Sequence, residues 1–116
     1  MPRDPRTYLF DIRRSCNLLT EFTHGKALTD YNSDALLRSA VERQFEIIGE
    51  ALGQLLKENP RLAPRSSHAR QIISFRNRLI HGYATIDDAV VWGVLQTNVP
   101  ILRREIADLL NADEPV

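Results

Sequence analysis

Arg76, Asn77 and His81 lie within six consecutive residues. Their side chains are suited to chemistry at an anionic centre. Histidine, with an unperturbed pKa near 6.5, can both accept and donate a proton at neutral pH. Arginine stays charged and presents a planar fork that fits a phosphate or carboxylate. The asparagine amide can orient either neighbour by hydrogen bonding. Each residue also has a purely structural reading. Arg76 could form an ion pair with the preceding helix, and His81 could close its own helix, where an imidazolium suits the dipole.

The charge distribution singles out the same region. Fifteen Lys and Arg balance fifteen Asp and Glu, so the chain has no net charge to draw it toward nucleic acid or membrane. Yet from Asn59 to Ile86 there is no acid, and the window holds Arg61, Arg65, Arg70, Arg76 and Arg78 with His68 and His81. Thirteen of the fifteen cations are arginine, a bias toward oxyanion contacts. The window is a localised anion site unless acids of another helix, with Glu42, Glu46 and Glu50 as candidates, neutralise it. Paired surface charges would contribute little energy either way.

Four helices must position these residues, and no segment alternates with the period of a strand. The first runs from about Thr7 to Thr23 with Leu9, Ile12, Cys16, Leu19 and Phe22 on one face, and His24-Gly25 stops it. Ser33 is the expected N-cap of the second, whose apolar stripe is Leu37, Val41, Phe45, Ile48, Leu52, Leu55 and Leu56. Asn59-Pro60 ends it. The third helix begins near Pro64 or Ser66 and stops after His81 at Gly82. Asp87 caps the fourth, with Ile86 and Val91 as a hydrophobic staple. Val91, Leu95, Val99, Leu102, Ile106 and Leu109 point inward, and Pro100 should kink this helix. The expected fold is all-α, an antiparallel up-down four-helix bundle occupying 1–116 as a single domain.

On the third helix, at about 100° per residue, Ile72, Ile73, Phe75, Leu79 and Ile80 share one arc. Arg76 falls inside that arc, whereas Arg78 lies on the opposite side. An arginine on a core-facing stripe needs a partner, a cleft or an interface, because unpaired burial is costly. His81 projects about 140° away from Arg76 on a regular helix. Convergence on one target therefore needs a bend near Gly82 or a second subunit.

Composition closes off other classes. With 43 % hydrophobic and 26 % charged residues the chain is neither a disordered tail nor a disulfide-stapled mini-protein. The single Cys16 cannot form an internal disulfide, suits a reducing compartment, and sits on an apolar stripe as an inert thiol. The longest apolar run, Ala89 to Leu95, is far short of a membrane span, and the N-terminus lacks the apolar core of a secretory signal. A cytoplasmic protein is expected. The histidines at 24, 68 and 81 have no short ligand spacing, so neither a metal site nor a cofactor is expected, and no glycine-rich phosphate loop occurs.

The run Arg76-Asn77-Arg78-Leu79-Ile80-His81-Gly82-Tyr83 resembles the Arg-x4-His-x-Tyr motif of HepT-like proteins, a branch of the HEPN superfamily. Ile47-Ile48-Gly49-Glu50-Ala51 is similar to the second-helix segment of that family, and Ile86-Asp87 with Val91-Trp92 continues the likeness, which covers nearly the whole chain. The resemblance implies a metal-independent endoribonuclease, the toxin of a prokaryotic toxin–antitoxin pair. It also implies a symmetric homodimer in which two Arg-x4-His motifs line one cleft. The implied antitoxin is a minimal nucleotidyltransferase, which in some members adenylylates the tyrosine corresponding to Tyr83; alone, Tyr83 reads equally as a packing aromatic.

For RNA cleavage without metal, His81 would transfer protons, Arg76 would hold the phosphate and stabilise the phosphorane, and Asn77 would orient them. Arg65, Arg70 and Arg78 would bind RNA along the basic window. The products would be a 2′,3′-cyclic phosphate and a 5′-hydroxyl. Two other readings stand beside this one. One is a non-catalytic helical module that binds a nucleotidyltransferase and presents Tyr83. The other is a dimerisation bundle whose arginines only form salt bridges.

Overall fold

The structure is a computed structural model that describes residues 4–65, 68–81 and 87–112, with backbone alone for 63–65. Among these the chain is helical, with no strand. Helices α1 (Pro5–Thr23), α3 (Ala35–Glu58), α4 (Ala69–His81) and α5 (Asp88–Ala112) are the four long elements, and the short α2 (Leu28–Ser33) lies between the first two. The all-α bundle expected from periodicity is the observed fold.

Helix α1 starts two residues earlier than expected. Pro5 occupies its first turn, where a missing N–H costs nothing, and Asp4 accepts a hydrogen bond from the Arg6 amide at 2.9 Å. It ends as expected at His24, with Gly25 at φ 71° supplying the left-handed turn. The next boundary differs. Ser33 does not cap the long second helix. It closes α2 and bonds back to the Thr29 carbonyl at 2.9 Å. Asp34 is the cap of α3 and accepts from the Leu37 amide at 3.0 Å. Helix α2 is six residues long, too short for a periodicity to show, and its opening turn is held by Asp30 accepting from the Ala27 amide at 2.7 Å.

The start near Pro64 or Ser66 is also corrected. Pro60–Arg65 forms a 3₁₀ turn, and α4 begins only at Ala69, its first turn including a bond from the Ile72 amide to the His68 carbonyl at 3.1 Å. Two prolines, Pro60 and Pro64, each without an amide hydrogen, suit a short turn better than an α-helix. Asp87 caps α5 as expected, accepting from the Ala89 amide at 2.9 Å. The helix remains continuous through Pro100. Ser66, Gly82, the Ile86 side of the expected staple and residues 113–116 lie outside the described residues.

The core joins the predicted stripes: Ile12, Cys16 and Leu19 of α1, Val41, Phe45, Ile48 and Leu52 of α3, and Val99, Leu102 and Ile106 of α5. In packing order α5 lies on α1, α1 on α3, and α3 on α4. Helix α2 bridges α3 and α5, with buried Tyr31 set against Trp92 at 5.7 Å between ring centres. Helix α4 is thus an outer layer held mainly by α3. Only Ala69, Ile72 and Phe75 of α4 are buried, whereas Ile73 and Leu79 are half-buried and Ile80, inside the predicted arc, is 44 % exposed. A stripe contacting one neighbour buries its centre and leaves its edges wet.

Candidate functional site

Helix α4 is anchored by Phe75, whose ring meets Phe45 of α3 edge-on at 5.1 Å. One residue on, Arg76 lies across α3. Its side chain is 24 % exposed, and its Nη2 donates to Glu50 Oε2 at 2.9 Å. Of the three acids the sequence offered as partners, Glu50 is the one that meets Arg76. Glu46 instead pairs with Arg43 at 3.3 Å on its own helix. Glu42 is held above the ordinary carboxylate range, first by burial and then by the neighbouring Glu46 charge.

Arg76 Nη1 donates to Asn77 Oδ1 at 2.9 Å. Two of the five guanidinium N–H groups are thereby used, and each terminal nitrogen keeps one more for an oxyanion. Nε is buried and has no acceptor among the described residues. The bond to Asn77 also bears on the 140° separation from His81. Asn77 and His81 are neighbours one turn apart on the helix surface, so the guanidinium is tied to the side of α4 on which His81 lies. His81 is exposed in the last helical turn. Helix α4 is α-helical through His81, and the bend expected near Gly82 falls outside the described residues.

The structure therefore brings together Arg76, Asn77 and Glu50, and places His81 one turn beyond. It puts Arg70 and Arg78 elsewhere, both exposed and both lining a groove of about 450 Å³ between α4 and α5, with Ser74, Val90 and Asn98 on its walls. Asn98 Nδ2 donates to Gln71 Oε1 at 3.0 Å and lies 3.0 Å from His68 Nδ1, which joins this end of α4 to α5. A second groove, of about 570 Å³, runs between α1, α3 and α4 and opens on Arg76 and Glu50, with Asp11, Arg43 and Ile80 at its edges. Tyr83 and the side chain of Arg65 lie outside the described residues.

Among the described residues no three or more His, Cys, Asp or Glu side chains cluster as metal ligands, and no helix is long and apolar enough to cross a membrane. Cys16 is fully buried, and burial pushes its thiol up to about 12, so it stays protonated and inert at neutral pH.

Sequence reasoning gave no role to Gly49, which is buried on α3 against the Arg76 stem. A signal for it existed. A glycine inside an otherwise helical stripe is costly unless packing requires it.

The chain is similar to known proteins over nearly its whole length. The family model described as Ribonuclease HepT-like matches residues 12–109, and the chain belongs to that family. Its relatives include a Thermococcus cleftensis protein named "Probable ribonuclease HepT", 33% identical over 109 residues, covering 94% of this chain and 98% of the relative. A Methanocaldococcus jannaschii protein provisionally named an RNase is 32% identical over 104 residues, covering 90% and 94%. A third, from Caldanaerobacter subterraneus subsp. tengcongensis and also provisionally named an RNase, is 30% identical over 116 residues, covering 97% and 99%. No solved structure matches the chain.

Proposed function

We propose that this protein is a metal-independent endoribonuclease, the toxin of a prokaryotic toxin–antitoxin pair. It acts in the cytoplasm as a single-domain protomer of a symmetric homodimer. The observation that carries this reading is Arg76. Its guanidinium is held between Glu50 and Asn77 with N–H groups to spare, on the same helix as His81 and in a family named for ribonuclease activity.

In the proposed reaction, one His81 removes the proton from a ribose 2′-hydroxyl. The oxygen attacks the adjacent phosphorus, and Arg76 offsets the charge gathering on the phosphorane oxygens. The bond from phosphorus to the 5′-oxygen breaks, and that oxygen takes a proton from the second protomer's protonated histidine at the same position. The products are a 2′,3′-cyclic phosphate and a 5′-hydroxyl. Asn77 orients the guanidinium rather than exchanging protons. A dimer supplies the acid and the base that one His81 cannot supply at once, and it removes the need for Arg76 and His81 to share a helix face. Arg70, Arg78 and Arg65 engage backbone phosphates away from the reacting centre. The partner is a minimal nucleotidyltransferase antitoxin. Adenylylation of Tyr83 would place an anionic, bulky group two residues from His81 and exclude the substrate.

A second reading has one observation in its favour. Glu50 already balances the Arg76 charge, so the arginine needs no phosphate for its own stability. On that reading the protein is a non-catalytic helical module that binds the nucleotidyltransferase. Incubation with total cellular RNA in EDTA separates the two, once mass spectrometry has shown Tyr83 to be unmodified. Defined fragments ending in cyclic phosphate are expected from the wild type and not from His81→Ala. Intact RNA in every lane selects the binding module.

A further inference from the structure

The stem of Arg76 crosses α3 at Gly49, where the helix presents no side chain. A Cβ built on Gly49 would stand 2.6 Å from Arg76 Cβ and 2.9 Å from Cδ, with Cγ closer still. Atoms at those separations overlap, and they include the root of the arginine, which a rotamer change cannot move. Gly53, one turn further along α3, has nothing within 4 Å of such a Cβ among the described residues, so the crowding belongs to position 49 and is not general to the helix. Both glycines forgo the helix propensity of alanine. Only at Gly49 does the geometry explain why.

We propose that Gly49 is a positioning residue for Arg76. Its bare Cα makes a notch in α3 that fixes the path of the arginine stem, and so fixes where the guanidinium emerges. Three observations meet on this point. The notch admits Cβ, Cγ and Cδ; Nε is buried just beyond them; and the terminal nitrogens reach Glu50 on the same helix and Asn77 on their own. Glu50 then acts on an arginine already seated, completing its orientation. A methyl group at position 49 would lift the stem out of the notch and displace the guanidinium by about the width of that methyl. Displacements on the order of 1 Å in a positioned catalytic group can cost about a hundredfold in rate. The inference rests on the ribonuclease reading for its catalytic consequence, but the seating of Arg76 can be measured without any RNA.

The experiment uses ¹⁵N-arginine-labelled full-length protein and follows the Arg76 Nε–H resonance, assigned by its loss in Arg76→Lys. In the wild type Nε is buried, so its proton is expected to exchange slowly. In Gly49→Ala, with native helix content, the resonance is expected to shift and exchange rapidly. RNA cleavage should fall between about tenfold and a hundredfold in kcat, with KM within about twofold because the loss is confined to the transition state. Gly53→Ala should leave both signal and rate unchanged. Glu50→Gln keeps the notch and removes the carboxylate charge, so its Nε–H should stay protected and its kcat should fall less than that of Gly49→Ala.

An unmoved resonance in Gly49→Ala, or a moved one with wild-type kcat, would overturn the proposal. Should Gly49→Ala fail to fold, Glu50→Gln decides alone: loss of Nε–H protection there would show that the carboxylate, not the notch, holds the arginine. If the wild type cleaves no RNA, the ribonuclease reading fails, while the resonance still reports whether Gly49 seats Arg76.

Discussion

The two sides of α4 differ in how they are built. Toward α3 the helix is locked by the Phe45–Phe75 edge-on pair and by Arg76 lying in a notch with its charge paired to Glu50. Toward α5 it borders an open groove, where Arg70 and Arg78 are exposed and the hydrogen bonds of Asn98 join the helices. Arg76 and Arg78 are two residues apart and chemically identical, yet one is fixed in direction and the other stands in solvent. A fixed cation can stabilise charge that develops at one point. A solvated one attracts a polyanion without defining where it reacts. On this account the α3 side carries out catalysis and the α5 side gathers substrate.

Stability should divide along the same line. Phe45→Ala removes a fully buried ring from the α3 side and is expected to cost about 3–5 kcal/mol, seen as a large drop in the urea midpoint. Asn98→Ala on the α5 side should cost only about 1–2 kcal/mol, the net loss from its two partly exposed hydrogen bonds. Equal losses from the two would remove the contrast.

A smaller effect concerns the acids of α3. Burial and Glu46 raise the folded-state pKa of Glu42, so the folded protein binds this proton at a higher pH than the unfolded chain does. Ionised Glu42 therefore destabilises the fold, and its contribution improves as pH falls through the carboxylate range. Glu42→Gln should raise Tm at pH 7 and make little difference below pH about 4. A lower Tm for the variant at pH 7 would contradict the sign. The smallest effect is chemical silence. Cys16, with its thiol pushed up to about 12, should resist an aromatic disulfide reagent at pH 8 and react only as the protein unfolds in urea.

Much of this was legible from spacing. The stripes of α1, α3 and α5 recur every three or four residues over several turns, and their predicted members are buried apart from Phe22 and Leu56, which are half-buried at the edge of the core. The position of Arg76 within an apolar arc announced that it would need a partner, and Glu50 was among the acids available to it. What periodicity could not supply was local or non-local detail. Helix α2 is too short to repeat. The competition between Ser33 and Asp34 for one cap depends on which side chain reaches the third amide. The exposure of Ile80 depends on how many neighbours α4 has, which its own sequence does not encode. Gly49 was visible as one of two glycines within a helical stripe, but its purpose depends on a stem from residue 76, brought against it only by folding.

The central claim rests on the contrast between two arginines, and single-turnover cleavage of a defined RNA in EDTA by wild type, Arg76→Ala and Arg78→Ala measures it directly. Loss of one transition-state donor should lower the Arg76→Ala rate by about a hundredfold to a thousandfold. Arg78→Ala should keep the wild-type rate at saturating RNA while binding more weakly, with a shallower salt dependence. If the two variants lose rate alike, the seated arginine has no special part in the chemistry, and the basic helix acts only through its charge.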